Sequence, residues 1–169
     1  MYKTRIDILK LIPKESVVAE LGVFIGEYSQ NIINVVNPSK LYMVDIFGKG
    51  KAHSMGIQVS DLSKYYDILT NKYINNNNIC VVKSTTTKFL QSLPLDSLDA
   101  VYIDAEHSYR AVSDDLNNSY DKVKLGGYIM GHDYDRPEIQ KAVNEFCVKY
   151  ELNVLHTTED SPPSFVIKK

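Results

Sequence analysis

The stretch that decides the fold is VVAELGVFIGEYS, residues 17–29. An apolar run carries Glu20 near its end, two glycines follow at Gly22 and Gly26, and a helical pattern then begins. A strand that passes through a glycine-hinged turn into a helix N-terminus is the arrangement that binds a nucleoside-type cofactor, because the first N–H groups of the helix point at the ligand. The glycines allow close approach of the backbone, which a side chain would obstruct.

Glu20 indicates which cofactor this turn can bind. It stands where the dinucleotide pattern G-x-G-x-x-G has its first glycine. A carboxylate at that position repels a pyrophosphate and attracts a cation. S-adenosylmethionine has no phosphate and carries an ammonium and a sulfonium, so we expect it rather than NAD. Asp45 ends the next apolar run, about 20 residues beyond the turn, where an acid commonly accepts hydrogen bonds from a ribose; an ordinary cap or loop acid is the alternative.

Length and composition restrict the class of protein. The 169 residues fit one domain, and 44% hydrophobic with 24% charged residues is the profile of a soluble globular protein. Nineteen basic residues stand against 21 acidic ones, a net charge of -2 that argues against nucleic acid as the main partner. No apolar stretch is long enough to span a membrane, and the N-terminus does not resemble a signal peptide, so we expect a cytoplasmic location.

Strand-like and helix-like runs alternate along the chain, which predicts an α/β fold with a mainly parallel sheet. The predicted strands are residues 17–21, 40–44, 79–83, 98–103 and 127–130, and the predicted helices are residues 3–11, 27–36, 57–73, 86–93, 109–123 and 137–150. Residues 152–157 and 164–168 predict an antiparallel hairpin. Residues 48–56, GKGKAHSMG, predict a mobile loop in which His53 is most simply a solvated side chain.

Polar side chains follow the predicted strands at the point where each strand ends. They are Glu20, Asp45, Ser84, Asp104 and Asp133. Parallel strands bring their carboxyl ends to one edge of the sheet, and ligands bind there near the topological switch point. Loops are polar in any case, but five such groups at equivalent places, four of them acidic, predict a single shared site.

Two later segments add groups that can carry chemistry, VYIDAEHSY at residues 101–109 and GGYIMGHDY at residues 126–134. Asp104 is followed by His107 in the first, and His132 precedes Asp133 in the second. Adjacent strands lie about 5 Å apart, so these side chains can converge on one divalent cation. A hydrogen-bonded cluster of acids and histidines without a metal is the alternative.

His107 is also a candidate general base, since an imidazole with a pKa of about 6.5 can accept a proton near neutral pH. It can instead cap the following helix or bind Asp114 or Asp115. Glu106 is a second candidate for the base.

The order of the segments ELGVFIGEYS, LYMVDIFG, VYIDAEHSYRAVSDDL and LGGYIMGHDY resembles the class I S-adenosylmethionine-dependent methyltransferases. More narrowly, it resembles small enzymes with I-D-x-x-H-x-Y and G-G-x-I-x-x-H/D-D-Y segments, related to sugar and natural-product O-methyltransferases with bound magnesium. The resemblance covers roughly residues 16–150. It implies one domain over residues 1–169, with a Rossmann-like sandwich, a seven-stranded, mostly parallel sheet and a C-terminal antiparallel hairpin.

The resemblance also assigns roles to residues around the cofactor. Glu20 would lie near the ammonium, Asp45 would hold the ribose, and Asp104 would face the methyl-transfer region. The remaining cofactor contacts are expected along the turn, at the start of the next helix and around the adenine, at Gly22, Gly26, Tyr28, Ser29, Ile46, Ser84 and Thr85.

The metal ligands of relatives fall here on Asp104, His132 and Asp133. His132 departs from the family pattern, which often has a second Asp there. Magnesium prefers oxygen ligands, so this departure favours a softer divalent cation or none.

The function expected from these features is methyl transfer from S-adenosylmethionine to a hydroxyl of a small molecule or sugar, assisted by a divalent metal such as magnesium. The acceptor would be a small hydroxylated compound, and a homodimer could complete the site. N-P-P-Y, typical of adenine methylation, is replaced after the fourth strand by D-A-E-H. The alternatives are a non-catalytic subunit that binds S-adenosylmethionine and a nicotinamide-dependent oxidoreductase.

Overall fold

The computed structural model describes residues 2–54 and 57–169, with the side chains of residues 49–60 left out. The chain forms a seven-stranded sheet in the order β5-β2-β1-β6-β7-β9-β8 and a separate pair, β3-β4. The strands are β1 Val17–Leu21, β2 Lys40–Asp45, β3 Lys49–Ser54, β4 Ile57–Asp61, β5 Ile79–Lys83, β6 Leu98–Ile103, β7 Val123–Gly131, β8 Val154–Thr157 and β9 Phe165–Lys168. The helices are α1 Glu27–Val36, α2 Ser63–Lys72, α3 Thr86–Ser92, α4 Tyr109–Tyr120 and α5 Pro137–Lys149.

The large sheet confirms the predicted architecture. β5, β2, β1, β6 and β7 pair in parallel. β9 pairs antiparallel with both β7 and β8, which is the predicted C-terminal hairpin. The strand order reverses beside β1, whose neighbours are β2 and β6. This is the switch point at which open α/β sheets bind ligands, so the ends of β1 and β6 define where to look for the site.

Each face of the sheet is covered by helices because both faces of the central strands are apolar. On one face, Leu90 of α3, Leu116 of α4 and Val143 of α5 are buried in one cluster. On the other face, Ile32 of α1 and Leu69 of α2 belong to a second buried cluster. The result is a three-layer sandwich whose strand ends remain open at one edge.

Two predictions around residues 48–73 are wrong. The predicted mobile loop is largely strand β3, and the first residues of the predicted helix form β4, which pairs with β3 antiparallel. The alternation Ile57, Gln58, Val59, Ser60 has the two-residue period of a strand, with two β-branched side chains. Helix α2 therefore begins only at Ser63. Residues 55 and 56 and the side chain of His53 lie outside the described part of the chain.

The opening segment also differs from the predicted helix over residues 3–11. Only Asp7–Leu11 is helical, and it is a 3-10 helix. Thr4 and Asp7 bond to each other reciprocally: the Asp7 carboxylate accepts from the Thr4 N–H at 3.1 Å, and the Thr4 hydroxyl accepts from the Asp7 N–H at 3.3 Å. These bonds close a turn across residues 4–7, which holds Arg5 just before the short helix. Among the described residues, no helix has the length and apolar character needed to cross a membrane.

Candidate active site at the switch point

The turn after β1 lies directly against the end of β6. A Cβ atom added to Gly22 would lie 2.1 Å from the carbonyl oxygen of Asp104, and Gly22 has a φ of +92°. The N–H of Asp104 donates to the carbonyl of Leu21 at 2.8 Å. Only glycine fits this close backbone contact with left-handed dihedrals. The predicted cofactor turn at Gly22 and the end of β6 at Asp104 therefore form one continuous surface, which we call the wall.

Glu20 is buried behind this wall and is not exposed on its surface. Its side chain is buried, with the residue 1% exposed, and it accepts a hydrogen bond from the hydroxyl of Ser29. Burial raises the pKa of Glu20 to about 8, with the hydroxyl of Ser29 opposing the shift. Burial therefore favours the neutral form of the carboxyl in this state, whereas the sequence argument assumes a charged group.

Gly26, Tyr28 and Ser29 begin α1 as predicted, but the two side chains point into the protein. Gly26 caps the helix with a φ of 85°. The Tyr28 hydroxyl donates to the carbonyl of Arg5 at 2.8 Å, and its ring lies 4.3 Å from that of Tyr102. Tyr28 and Ser29 are 5% and 0% exposed. In this state both side chains pack inside the protein beside the turn and are not exposed to a ligand.

The carboxylate of Asp45 binds backbone N–H groups of the turn after β1 and of the loop after β2. One carboxylate oxygen accepts from the N–H groups of Val23 and Phe24 at 2.9 and 3.0 Å, and the other accepts from Phe47 at 2.8 Å. Phe24 and Phe47 have φ of 55° and 41°, uncommon for bulky residues. Asp45 thus stabilises the shape of the turn, and its contact with a ribose stays a prediction.

The predicted adenine contacts lie around this carboxylate. Ile46 is 60% exposed, which leaves an apolar surface free beside Asp45. The N–H of Ser84 donates to the carbonyl of Asp45 at 3.0 Å. Thr85 is the N-cap of α3, since its hydroxyl accepts from the N–H of Lys88 at 3.3 Å. Thr85 therefore already has a structural role.

Four titratable side chains meet at the ends of β6 and β7, as the sequence predicts. Nε2 of His107 lies 3.1 Å from Oδ2 of Asp133 and 3.6 Å from Oδ1 of Asp104. Nδ1 of His132 lies 3.4 Å from Oδ1 of Asp133 and 3.7 Å from Oδ2 of Asp104. Two carboxylates are thus enclosed by two imidazoles. Asp133 has a φ of 55° and its side chain is 8% exposed, so the turn holds this carboxylate in an uncommon conformation.

The ligand atoms of Asp104, His107 and Asp133 all lie within 4.8 Å of one another, a spacing that can accommodate a cation. Nε2 of His107 is buried and lacks a hydrogen-bond partner among the described residues, although both carboxylates are near. A buried nitrogen without a partner beside two acids suits a divalent cation with mixed nitrogen and oxygen ligands. The geometry brings His107 into this group, where the sequence prediction has His132.

The charges in this cluster reinforce each other. Burial opposes ionisation of Asp104, but His107, His132 and Arg5 outweigh it, so the pKa of Asp104 lies below its ordinary value. The Asp104 carboxylate raises the pKa of His107, burial opposes this, and Asp133 adds to the rise. Without a bound cation, the cluster therefore favours the ionised form of Asp104 and makes the imidazole of His107 a stronger base than a free histidine.

Comparison with known proteins identifies the fold. A family model described as a methyltransferase domain matches residues 19–134, well over half of the chain. The chain belongs to that family. It is a class I S-adenosylmethionine-dependent methyltransferase, as the sequence resemblance predicts.

Solved structures agree on the fold. The chain is similar to the O-methyltransferase NovP, with a TM-score of 0.72 and 18% identity over 98% of this chain and 79% of NovP. It is also similar to a putative rRNA-methylase from Clostridium thermocellum, with a TM-score of 0.67 and 17% identity over 97% and 92% of the two chains. An uncharacterized protein R132 of Acanthamoeba polyphaga mimivirus is 38% identical over 60 residues, which are 33% of this chain and 27% of that protein.

Two arginines of this candidate site are not among the residues predicted from the sequence. Nη1 of Arg5 lies 3.3 Å from Oδ2 of Asp104, and Nε of Arg136 lies 3.3 Å from Oδ2 of Asp133. Arg136 stands three residues after Asp133, a spacing visible in the sequence as an i,i+3 pair. No local pattern links Arg5 to Asp104, because 99 residues separate them.

Proposed function

We propose that this protein transfers the methyl group of S-adenosylmethionine to a hydroxyl of a small molecule or sugar. The observation that carries the proposal is the cluster of Asp104, His107, His132 and Asp133, which adjoins the glycine turn at the switch point. A cofactor-binding module has no need of two acids and two histidines beside the turn, whereas proton removal from an acceptor needs such groups.

The cofactor would bind along the edge formed by the ends of β1, β2 and β5. The adenine would lie on the exposed side chain of Ile46, near Ser84, and the ribose would bind near Asp45. The methionine part would lie over Gly22, which directs the sulfonium methyl toward Asp104. This placement follows from the position of the glycine turn at the switch point of the sheet, where open α/β folds bind their ligands.

Methyl transfer requires that the acceptor be oriented toward the methyl group and that one proton be removed from its hydroxyl. The sulfonium is already a strong electrophile, so the protein aligns the acceptor oxygen with the methyl carbon and the leaving sulfur. His107 accepts the acceptor's proton as the oxygen–carbon bond forms and the carbon–sulfur bond breaks. Asp104 orients the imidazole and stabilises its positive charge.

A divalent cation would fit the same cluster, held by Asp104, Asp133 and either His107, as the spacing of the ligand atoms favours, or His132, as the resemblance implies. When bound, such an ion lowers the pKa of an acceptor hydroxyl that contacts it. Nε2 of His107 cannot bind a cation and a proton at once. A cation on His107 would leave an acid to take the proton, whereas a cation on His132 leaves His107 free as the base.

We expect a small acceptor rather than a nucleic acid, because the net charge of -2 lacks the basic excess that is usual in proteins that bind phosphate backbones. The proposal includes a homodimer in which a second copy of the chain helps to enclose the acceptor.

Calorimetry with S-adenosylmethionine and S-adenosylhomocysteine tests the binding step, with NAD as the control ligand. Turnover is then measured with a pool of phenols and sugars, with Mg²⁺ or Mn²⁺ and in excess chelator. Binding of both sulfur ligands and methylation of a hydroxyl compound are the expected results. Binding without turnover of any acceptor would favour the non-catalytic subunit, and heat with NAD alone would refute the proposal. Equal turnover with Mg²⁺ or Mn²⁺ and in excess chelator would show that the proposed mechanism does not need a cation.

A further inference from the structure

The side chain of Arg5 lies at the wall formed by the glycine turn and Asp104. Its guanidinium carbon is 4.4 Å from the centre of the Tyr28 ring, and Nη1 is 3.3 Å from Oδ2 of Asp104. Its side chain is 17% exposed. A cation is thus held between the start of α1 and the end of β6, the two elements that enclose the turn.

The backbone of Arg5 is fixed on both sides by distant parts of the chain. Its N–H donates to Oδ2 of Asp160 at 2.8 Å, in the loop between β8 and β9. Its carbonyl accepts from the Tyr28 hydroxyl at 2.8 Å. Two residues before Arg5, the carbonyl of Lys3 accepts from the N–H of Glu159 at 3.1 Å. These bonds position the guanidinium before any ligand arrives, which lowers the entropy lost on binding.

Arg5 has more hydrogen-bonding capacity than its neighbours use. A guanidinium has five N–H donors, and among the side chains that the structure describes, Asp104 supplies one acceptor at a long 3.3 Å. Tyr28 covers one face of the group. The guanidinium edge is therefore able to bind a further planar anion in a bidentate manner.

The surrounding charges suggest which anion this is. The carboxyl groups of Asp104 and Asp45 stand near the turn, whereas burial favours the neutral form of Glu20. The methionine part of the cofactor brings an ammonium and a sulfonium, which acids favour, and a carboxylate, which acids repel. Arg5 and His107 contact different oxygens of Asp104. Arg5 also stacks on Tyr28 of α1, so it belongs to the cofactor side of Asp104.

We propose that Arg5 is the residue that recognises the carboxylate of the cofactor's methionine part, and that this contact makes the site selective for a cofactor with an intact carboxylate. This inference rests on the proposed function, since it takes S-adenosylmethionine as the ligand. The side chain would bind the carboxylate through N–H groups that Asp104 does not use.

The test compares S-adenosylmethionine with decarboxylated S-adenosylmethionine, which keeps the sulfonium and the ammonium. Dissociation constants are measured by calorimetry for the wild type, Arg5→Met and Arg5→Lys. The wild type should prefer the intact cofactor by about tenfold to a hundredfold, the range of a charge-assisted hydrogen bond. Arg5→Met should lose that preference while keeping its affinity for the decarboxylated compound within about threefold. Arg5→Lys should keep part of the preference, because it retains a charge without the planar fork.

Arg110→Met is the matched control, because Arg110 lies on α4 with a side chain that is 92% exposed. It should behave as the wild type toward both ligands. Equal loss of both ligands in Arg5→Met would overturn the inference, since it would mean that Arg5 only supports the fold. A wild type that binds both compounds equally would also overturn it, and this holds even where Arg5→Met fails to fold. A wild type that binds neither compound would refute the proposed function itself.

Discussion

Gly22 and Asp104 make a backbone contact that joins the cofactor turn to the chemical cluster. The space for a side chain at Gly22 is taken by the Asp104 carbonyl, 2.1 Å from where a Cβ would lie. Asp104 in turn supplies a carboxylate to His107, His132 and Arg5. A shift at the turn is therefore transmitted directly to the residue proposed to orient the base.

Gly22→Ala should be severely destabilising. The added methyl group meets backbone atoms that cannot rotate away, and φ of +92° is unfavourable for alanine. We expect a loss of at least about 3 kcal/mol in the free energy of unfolding. The matched control is Gly126→Ala, where φ is +82° and nothing lies within 4 Å of the new Cβ. It should cost only about 1 kcal/mol. Urea denaturation of both variants measures the difference, and equal losses would show that the contact with Asp104 is unimportant.

The location of this site could be predicted from the sequence, because strand ends follow from local patterns. The apolar runs before Glu20, Asp45 and Asp104 indicate strands, and parallel strands end at one edge. The β3–β4 pair was missed because glycines and lysines in residues 48–56 suggest a loop. The strand period in residues 57–60 was the signal against a helix.

The sequence does not predict how deeply a side chain is buried or which distant residues it contacts. The position of Glu20 follows from the sequence, but the raised pKa of its carboxyl depends on complete burial, which a sequence pattern does not reveal. The role of Arg5 depends on Asp104 and Asp160, which are 99 and 155 residues away. Such contacts arise from the assembled fold, so they appear only in the structure.

Asp45→Asn should weaken both the fold and cofactor binding. The two carboxylate oxygens of Asp45 accept hydrogen bonds from three backbone N–H groups. In asparagine an NH₂ group replaces one of these oxygens, and it would face one or two N–H donors without an acceptor. We expect a loss of about 1–3 kcal/mol in stability and a weaker affinity for S-adenosylhomocysteine. Asp99→Asn is the control, because Asp99 accepts from the Val17 N–H at 2.7 Å at the opposite end of β1. It should lose stability without losing affinity; unchanged affinity in Asp45→Asn would exclude Asp45 from the cofactor site.

His107→Gln should keep cofactor binding and lose turnover. The amide cannot accept a proton at neutral pH, and loss of a general base typically lowers the rate by about a hundredfold to ten-thousandfold. S-adenosylhomocysteine should bind with unchanged affinity, because His107 contacts the Asp104 oxygen that Arg5 does not contact. Turnover near the wild-type rate would remove His107 from the mechanism.

The two histidines can be separated by their effect on Mn²⁺ binding. His107, Asp104 and Asp133 form the group with closely spaced ligand atoms, so His107→Gln should weaken Mn²⁺ binding more than His132→Gln does. Electron paramagnetic resonance of Mn²⁺ titrations measures this without any acceptor. Stronger loss in His132→Gln would restore the ligand set that the sequence predicts and leave His107 free to act as the base.

The buried carboxyl of Glu20 should make stability depend on pH. Burial raises its pKa from 4.5 to about 8, so between these values the folded protein holds a proton that the unfolded chain has released. The free energy of unfolding should be highest below about pH 4.5 as far as Glu20 is concerned, and should fall as the pH rises to 8, with a slope approaching 1.4 kcal/mol per pH unit.

Glu20→Gln should remove this slope, since the amide stays neutral at every pH. The pKa of Asp115 is also raised, to about 6, so its contribution is lost by pH 6, while that of Glu20 continues to pH 8. His107 contributes with the same sign, because its raised pKa stabilises the protonated form, but it is present in both proteins. Chemical denaturation of wild type and variant from pH 6 to 8 therefore isolates Glu20. Parallel stability curves over that interval would mean that Glu20 is ionised in the folded protein, as the charge argument from the sequence assumes.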